Sequence, residues 1–388
     1  MAPSVLSGLP LDGDAQWAAR LEGLREPDDC MFGAFAPAGR LQACAQLHWR
    51  RTLERTRHIA RLTQLIAQDT ASGREALGRL LAGVLAFAGD GLAVRRMEVV
   101  LDSPARWMTA SLAEAGFRLE AVSPGRAAVG GLPSEQWLHA HIDRRVMPRP
   151  QAPPLPRPSD KPRAAARATL EVRIRPATEL DAEDVAAIYA ARGTARGTLQ
   201  SPWVSADVWR ERLAAQKAQA GRLLLVAEVE GNGESMLVGS AGMVTVSDDP
   251  RESHVASLGL GVHDRWQGLG VGRRLMDALL DHADHWAHYS RVELQVYVDN
   301  EPARRLYTSL GFVEEGVIRD SAMRDGGYVD SVLMARLRQS GAEETRERAA
   351  SGTKRKAHRS AATETFRQRQ ARERQRSAAR QPATDEDG

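Results

Sequence analysis

The chain has 388 residues, 43% of them hydrophobic, which is long for one domain and ample for two packed cores. Its two cysteines, Cys30 and Cys44, show neither CxxC spacing nor a Cys/His cluster, which argues against a disulfide framework or a metal site and for buried, reduced thiols. The formal net charge is only +3, and no stretch approaches the roughly 18 apolar residues a membrane span needs, so the expectation is a cytoplasmic, soluble protein without membrane contact.

The opening "MAPSVLSGLPLDGD" lacks the basic-then-apolar order of a secretory signal. Beyond it, "CMFGAFAPAGRLQACAQLHWRR" reads as a hairpin and "RHIARLTQLIA" as a strand. "ALGRLLAGVLAFA" follows as a helix, and "RRMEVVLDSPARWMTASLAEAGFRLEAV" as strand, helix and strand. Residues 147–168 then change character. "MPRPQAPPLPRPSDKPR" holds seven prolines, which forbid helix interiors and sheet ladders and favour a stiff polyproline-II spacer joining two bodies. An SH3-type ligand is the second reading of "PPLPRP".

In the second body, 169–338, "TLEVRIRPA" alternates as a strand, and "ELDAEDVAAIYAA" carries acids in its first turn before helically spaced apolar residues. "SADVWRERLAAQ" is a further helix capped by Ser205 or Asp207, and "RLLLVAEVEGNGESMLVGSAGMVTV" is a hairpin around a Gly-Asn-Gly turn. "SHVASLGLGV" is a third consecutive strand. It leads into "RWQGLGVGRRLMDALL", where three glycines on alternate positions stand at the mouth of an amphipathic helix, followed by the β-branched strand "RVELQVYV".

Such a strand–loop–helix junction can hold an anion, because the first turn of a helix leaves N–H groups without partners. A Walker loop would need Gly-Lys-Ser/Thr, whereas Gly272 is followed by Arg273 and Arg274; a dinucleotide fingerprint would want glycine or alanine at 273 and an acid about 20 residues on. Neither fits. Past the next strand, "LQVYVDNEPARRLYTSLGFVEEG" predicts a short helix capped by Asn300, with Pro302 in its first turn and Ala303, Leu306, Tyr307 and Leu310 on one face, stopped by Gly311.

Gln267-x-x-Gly270-x-Gly272, with Asn300, Tyr307 and Gly311-Phe312 at this spacing behind it, resembles the GNAT acetyltransferase superfamily. Within that superfamily, residues 170–338 resemble the bacterial L-amino-acid N-acetyltransferases. The resemblance implies a mixed α/β (α+β) fold with a mostly antiparallel, twisted sheet flanked by helices. It also implies transfer of an acetyl group from acetyl-CoA to a primary amine. The backbone of Gly268 through Arg273 would cradle the cofactor pyrophosphate, with Gln267 in the loop and Arg265 and Arg273 adding charge. Val262 N–H would polarise the thioester carbonyl, Asn300 would belong to the same cofactor site, and Tyr307 would protonate the leaving thiolate. Relatives often carry an acid on the strand before the loop; here that position is Ser257. Glu252, Glu293 and His254 are the alternatives for the base, and His254 is preferred for its intrinsic pKa of about 6.5.

The N-terminal half can be laid on the C-terminal one. At a constant offset of 195 through the last segment, Gly116-Phe117 matches Gly311-Phe312 and Glu98 matches Glu293, but Ala105 stands at Asn300 and Leu112 at Tyr307. Residues 1–146 are therefore expected to be a second, degenerate and non-catalytic GNAT-like domain, without a counterpart of the first strand and helix. The last segment, 339–388, holds 12 Lys/Arg, 8 Asp/Glu and one aromatic, Phe366; it reads as a disordered, solvated tail, and contact with RNA or ribosomes is the second reading. Three functions stay open: acetylation of a free amino acid or analogue, acetylation of a protein lysine or N-terminus, and an acetyl-CoA-binding regulatory module. A homodimer is a further expectation.

Overall fold

A computed structural model describes residues 29–49, 54–129, 132–155, 170–216, 221–231, 234–247 and 249–338. The expected tail and most of the proline-rich stretch, 156–169, lie outside these. In chain order the first half runs β1 (Asp29–Phe35), β2 (Leu41–Trp49), a 3-10 turn (Glu54–Thr56), β3 (Ile59–Ala67), α1 (Ala71–Ala86), β4 (Arg96–Asp102), α2 (Arg106–Glu114), β5 (Arg118–Val129) and β6 (Leu132–Ile142). The second runs β7 (Val172–Pro176), α3 (Ala182–Ala190), α4 (Arg192–Gly197), α5 (Ala206–Gln216), β8 (Arg222–Gly231), β9 (Glu234–Thr245), β10 (Val255–Val262), α6 (Val271–His285), β11 (Arg291–Tyr297), α7 (Glu301–Ser309), β12 (Val313–Arg324) and β13 (Gly327–Leu337).

All thirteen strands form one sheet, in the order β1-β2-β3-β4-β6-β5-β12-β13-β11-β10-β9-β8-β7. Each half has one parallel pair, β3 with β4 and β10 with β11, and is otherwise antiparallel. The halves meet where β5 pairs antiparallel with β12 at Ala121 and Gly316, and these two positions are each other's counterparts at the 195 offset. A pseudo-two-fold axis therefore passes through that pair. Among the described residues β7 has no counterpart in the first half; a strand preceding β1 would fall in residues 1–28, outside them.

Each half keeps its own core. Leu77, Leu80, Leu81 and Val84 of α1 pack on β2–β4, and Leu275, Met276, Leu279 and Leu280 of α6 pack on β8–β11, both at the three-to-four-residue spacing that gives a helix one apolar face. Burial of each such side chain is worth about 1.5–3 kcal/mol.

The seam is built from matched charges. Arg96, fully buried, meets Glu98 at 3.0 Å and Glu120 at 2.7 Å and donates across the seam to Arg319 O at 2.8 Å. Arg291, also fully buried, meets Glu293 at 3.1 Å and Glu315 at 2.6 Å and donates back to Pro124 O at 3.0 Å. His58 Nε2 donates to Asp320 O at 2.7 Å, and His254 Nε2 to Gly125 O at 2.9 Å. Arg, Glu and His thus recur at equivalent places on both sides of the axis.

The two expected bodies share this one sheet. The start of the proline-rich stretch is itself docked: Tyr328 N–H donates to Pro150 O at 3.0 Å, Ala152 N–H to Tyr328 O at 2.6 Å, and Leu155 N–H to an Asp299 carboxylate oxygen at 2.8 Å. Prolines lack a donor, but the residues between them supply the N–H groups, and proline carbonyls still accept.

Candidate active site

β10 and β11 pair over just three residues, Val255–Ser257 with Arg291–Glu293, and then part. Toward β9, His263 N–H donates to Val238 O, so the alternation of an antiparallel ladder turns the N–H groups of Val262, Leu260 and Leu258 away from β9 and into the gap. The gap opens into a cavity of about 1770 Å³, lined on one side by 258–262 and on the other by 294–296. That exceeds the ~300–1,000 Å³ usual for one small ligand and leaves room for two.

The loop after β10 is shaped for an anion. Gly270, at φ +88°, is the N-cap of α6, a conformation a side chain would strain, and no side chain caps the helix. The first N–H groups of α6 therefore remain open at the positive end of its dipole. Gln267 Nε2 donates to Val262 O at 2.9 Å and so ties the loop to the strand end. Arg273 lines the cavity and donates to Ser309 Oγ at 2.8 Å, which fixes it between α6 and α7. Gly268 and Gly272 line it too; Arg265 is exposed and does not.

Asn300 caps α7 as its sequence position predicts, with Oδ1 accepting from Ala303 N–H at 3.4 Å and Pro302 in the first turn. Tyr307 is the buried residue of that short helix, sits 5.9 Å from the Phe312 ring, and lines the cavity. Burial, with the nearby Tyr189 phenol adding to it, pushes its hydroxyl well above the usual phenol range. The protonated form is the one held at the cleft.

His254 is absent from the cavity wall. Its Nε2 is spent on Gly125 O in the seam, so the position gives the expected base no support; its counterpart His58 makes the same kind of bond. Of the other two candidates, Glu252 is held by Arg126 and Gln136 and lies off the cavity, whereas Glu293 lines it, between Arg291 and Arg126.

Several wall residues escaped the sequence reading. Thr194 Oγ1 donates to Val262 O at 2.8 Å, and the Asp264 carboxylate accepts from Gly193 and Thr194 N–H at 2.8 and 2.7 Å, which anchors α4 beside the strand end. Tyr189 stacks on Trp209 at 5.0 Å and accepts from Ser240 Oγ. Thr56, Ile59, Arg61 and Glu98 come from the first half of the chain. In sequence, Tyr189 and Thr194 read as ordinary helix residues, and nothing local connects residues 56–98 to a site after 250.

The Acetyltransferase (GNAT) family profile matches residues 187–312. The L-amino acid N-acetyltransferase AaaT of Escherichia coli (strain K12) is 38% identical over 168 residues, 43% of this chain and 99% of that protein. The chain belongs to the GNAT acetyltransferase family. The N-alpha-acetyltransferase RimI of Mycobacterium tuberculosis is 39% identical over 83 residues, 21% of this chain and 49% of its own length. Among solved structures, spermidine N-acetyltransferase from Vibrio cholerae in complex with CoA and spermine is 22% identical, covers 43% of this GNAT chain and 95% of its own, and superposes with a TM-score of 0.39.

Proposed function

We propose that the chain transfers the acetyl group of acetyl-CoA to the α-amine of a free amino acid or a close analogue. The observation that carries this reading is the pairing of an uncapped, glycine-led α6 N-terminus with a buried, protonated Tyr307 across one cavity. Bound acetyl-CoA supplies a thioester-activated acetyl group. The residues fit it: the open N–H groups at the start of α6 and the Arg273 guanidinium suit a pyrophosphate, and the exposed strand edge at Leu258, Leu260 and Val262 offers donors to an extended arm.

Within that frame each residue has one task. Val262 N–H donates to the carbonyl oxygen as negative charge develops on it, and its own carbonyl is pinned by Thr194 and Gln267 so that the donor holds its direction. Tyr307 donates a hydrogen bond and then its proton to the sulfur as the carbon–sulfur bond breaks; the thiol titrates near 8.5, below the phenol, so this transfer is uphill and the phenolate regains a proton from water once the thiol has left. Asn300 fixes the start of α7 and with it the height of Tyr307. The attacking amine loses its proton to solvent in the wide cavity, where Glu293 is a wall carboxylate.

An amino-acid acceptor is favoured over a peptide by the near-full-length similarity to AaaT. The test is thiol release from acetyl-CoA across free amino acids, polyamines and peptides. Amino acids are expected to give the highest kcat/KM, and preferential turnover of peptides would overturn the acceptor assignment.

A further inference from the structure

The cavity is not lined by the second half alone. At the start of β3, Arg61 lies opposite Glu98 of β4 in register, and both line the cavity together with Thr56 and Ile59. Arg61 uses Nε and Nη2 on one Glu98 oxygen, at 3.3 and 2.8 Å, and its Nη1 meets no partner among the described residues. The pseudo-two-fold relation makes the place informative. Ser257 and Glu293 are the corresponding register pair on β10 and β11, so the first half presents a guanidinium where the second presents a hydroxyl. Glu293, lacking a partner at 257, is met instead by Arg126 reaching over the seam at 2.7 Å.

Arg55 makes a second connection. From the 3-10 turn before β3 its Nη1 donates to the carbonyls of Ala195 at 2.7 Å, Thr198, and Gln200 at 3.3 Å, while Nε donates to Met323 O at 2.8 Å. The Ala195, Thr198 and Gln200 carbonyls belong to the end of α4 and the segment after it, which borders the cavity, and a cation suits that helix end; Met323 lies in β12. Tyr297 Oη donates to the same Thr198 carbonyl. One guanidinium of the first half therefore sets the backbone of a wall in the second.

We propose that the first half completes the acceptor pocket: Arg61 receives the acceptor's carboxylate, and Arg55 is a positioning residue for segment 195–200. The assignment rests on the amino-acid reading above. A planar guanidinium with an open Nη1 edge, held in place by a carboxylate it does not leave, is a pre-organised donor for a second carboxylate. The degenerate half thereby keeps a task in the reaction although it has lost cofactor chemistry.

Matched acceptors test it in the full chain: the amino acid turned over best, and the amine lacking only its carboxylate. Arg61→Ala should raise KM for the amino acid tenfold or more, leave KM for the amine within twofold, and leave acetyl-CoA Kd unchanged by calorimetry. Arg61→Gln combined with Glu98→Gln removes both charges, so no lone buried carboxylate remains, and should give the same split. Arg55→Ala should raise KM for both acceptors at unchanged acetyl-CoA Kd and speed amide hydrogen exchange across 195–200; Arg55→Lys should recover part of each. Equal KM shifts for both acceptors with Arg61→Ala, no shift at all, or the split appearing instead with Arg192→Ala, at another guanidinium lining the cavity, would overturn the assignment while the transferase reading stands. A wild-type chain that binds acetyl-CoA but acetylates no amino acid would overturn the acceptor reading and this one with it.

Discussion

At the scale of single residues, Tyr307 carries the sharpest consequence. If its hydroxyl donates only as the carbon–sulfur bond breaks, Tyr307→Phe lowers kcat by about 10²–10⁴ and leaves acetyl-CoA affinity unchanged, measured by steady-state kinetics and calorimetry. Its pH behaviour has a definite sign. Burial raises the phenol in the folded protein above the value of about 10 that it has in an unfolded chain, so the folded form keeps the proton longer. The stability tied to this group is complete below pH 10 and falls as pH rises beyond it, because the unfolded chain ionises first. Equilibrium unfolding between pH 8 and 11 should show that decline diminished in Tyr307→Phe. The position of Tyr307 on the buried face of a capped helix was legible because cap, helix face and terminating glycine lie within a dozen residues and act locally. The place of His254 was not, for the opposite reason: its partner carbonyl, Gly125, is brought to it by a seam that no local pattern encodes.

Elements show the same division between local and distant causes. Strands and helices follow the apolar periodicity of their own segments, and the α7 cap and the α6 mouth follow from single residues. Which edge of one half meets which edge of the other does not, since nothing in the segments of β5 and β12 marks them as each other's partners. Gly316 marks the junction. A Cβ there would lie 2.2 Å from Glu120 O and 2.5 Å from Ala121 Cβ, so the two strands touch only because position 316 carries no side chain. Gly316→Val should force the strands apart and cost about 1–3 kcal/mol, seen as a lower urea midpoint at unchanged m. Arg291→Leu strands the buried Glu315 carboxylate and leaves Glu293 to Arg126 alone, and should cost more, about 3–5 kcal/mol by the same measurement. Acid should loosen the seam as well. Burial holds His58 below its ordinary value, so the stability it contributes is present above about pH 6.5 and lost as pH falls through its lowered folded value.

For the whole molecule, the internal pairing means that the β12 edge is already covered by the chain's own first half, and the two halves differ at the turn that would meet a cofactor. In the second half the first turn of α6 is open. In the first half the corresponding turn is filled: the Thr70 side chain accepts the Gly73 N–H at 3.0 Å, Thr70 N–H is taken by Gln68 O, and a Cβ at Gly73 would lie 2.2 Å from that same carbonyl. Asp69, paired with Arg74 at 2.7 Å, adds a negative charge beside the turn. Farther along, fully buried Leu112 occupies the place of Tyr307, and α2 begins at Ala105 with no side-chain cap where α7 has Asn300. A pyrophosphate would have to displace the Thr70 cap, separate the Gln68 carbonyl and meet a carboxylate, with no acid waiting at the thioester. Calorimetric titration of the full chain should therefore reach saturation at one acetyl-CoA per chain, and Gly270→Asp, which sets a carboxylate against the open turn of α6, should remove all of that binding. Two equivalents bound by the wild type, or one retained by Gly270→Asp, would show that the first half has kept a cofactor site in spite of its filled turn.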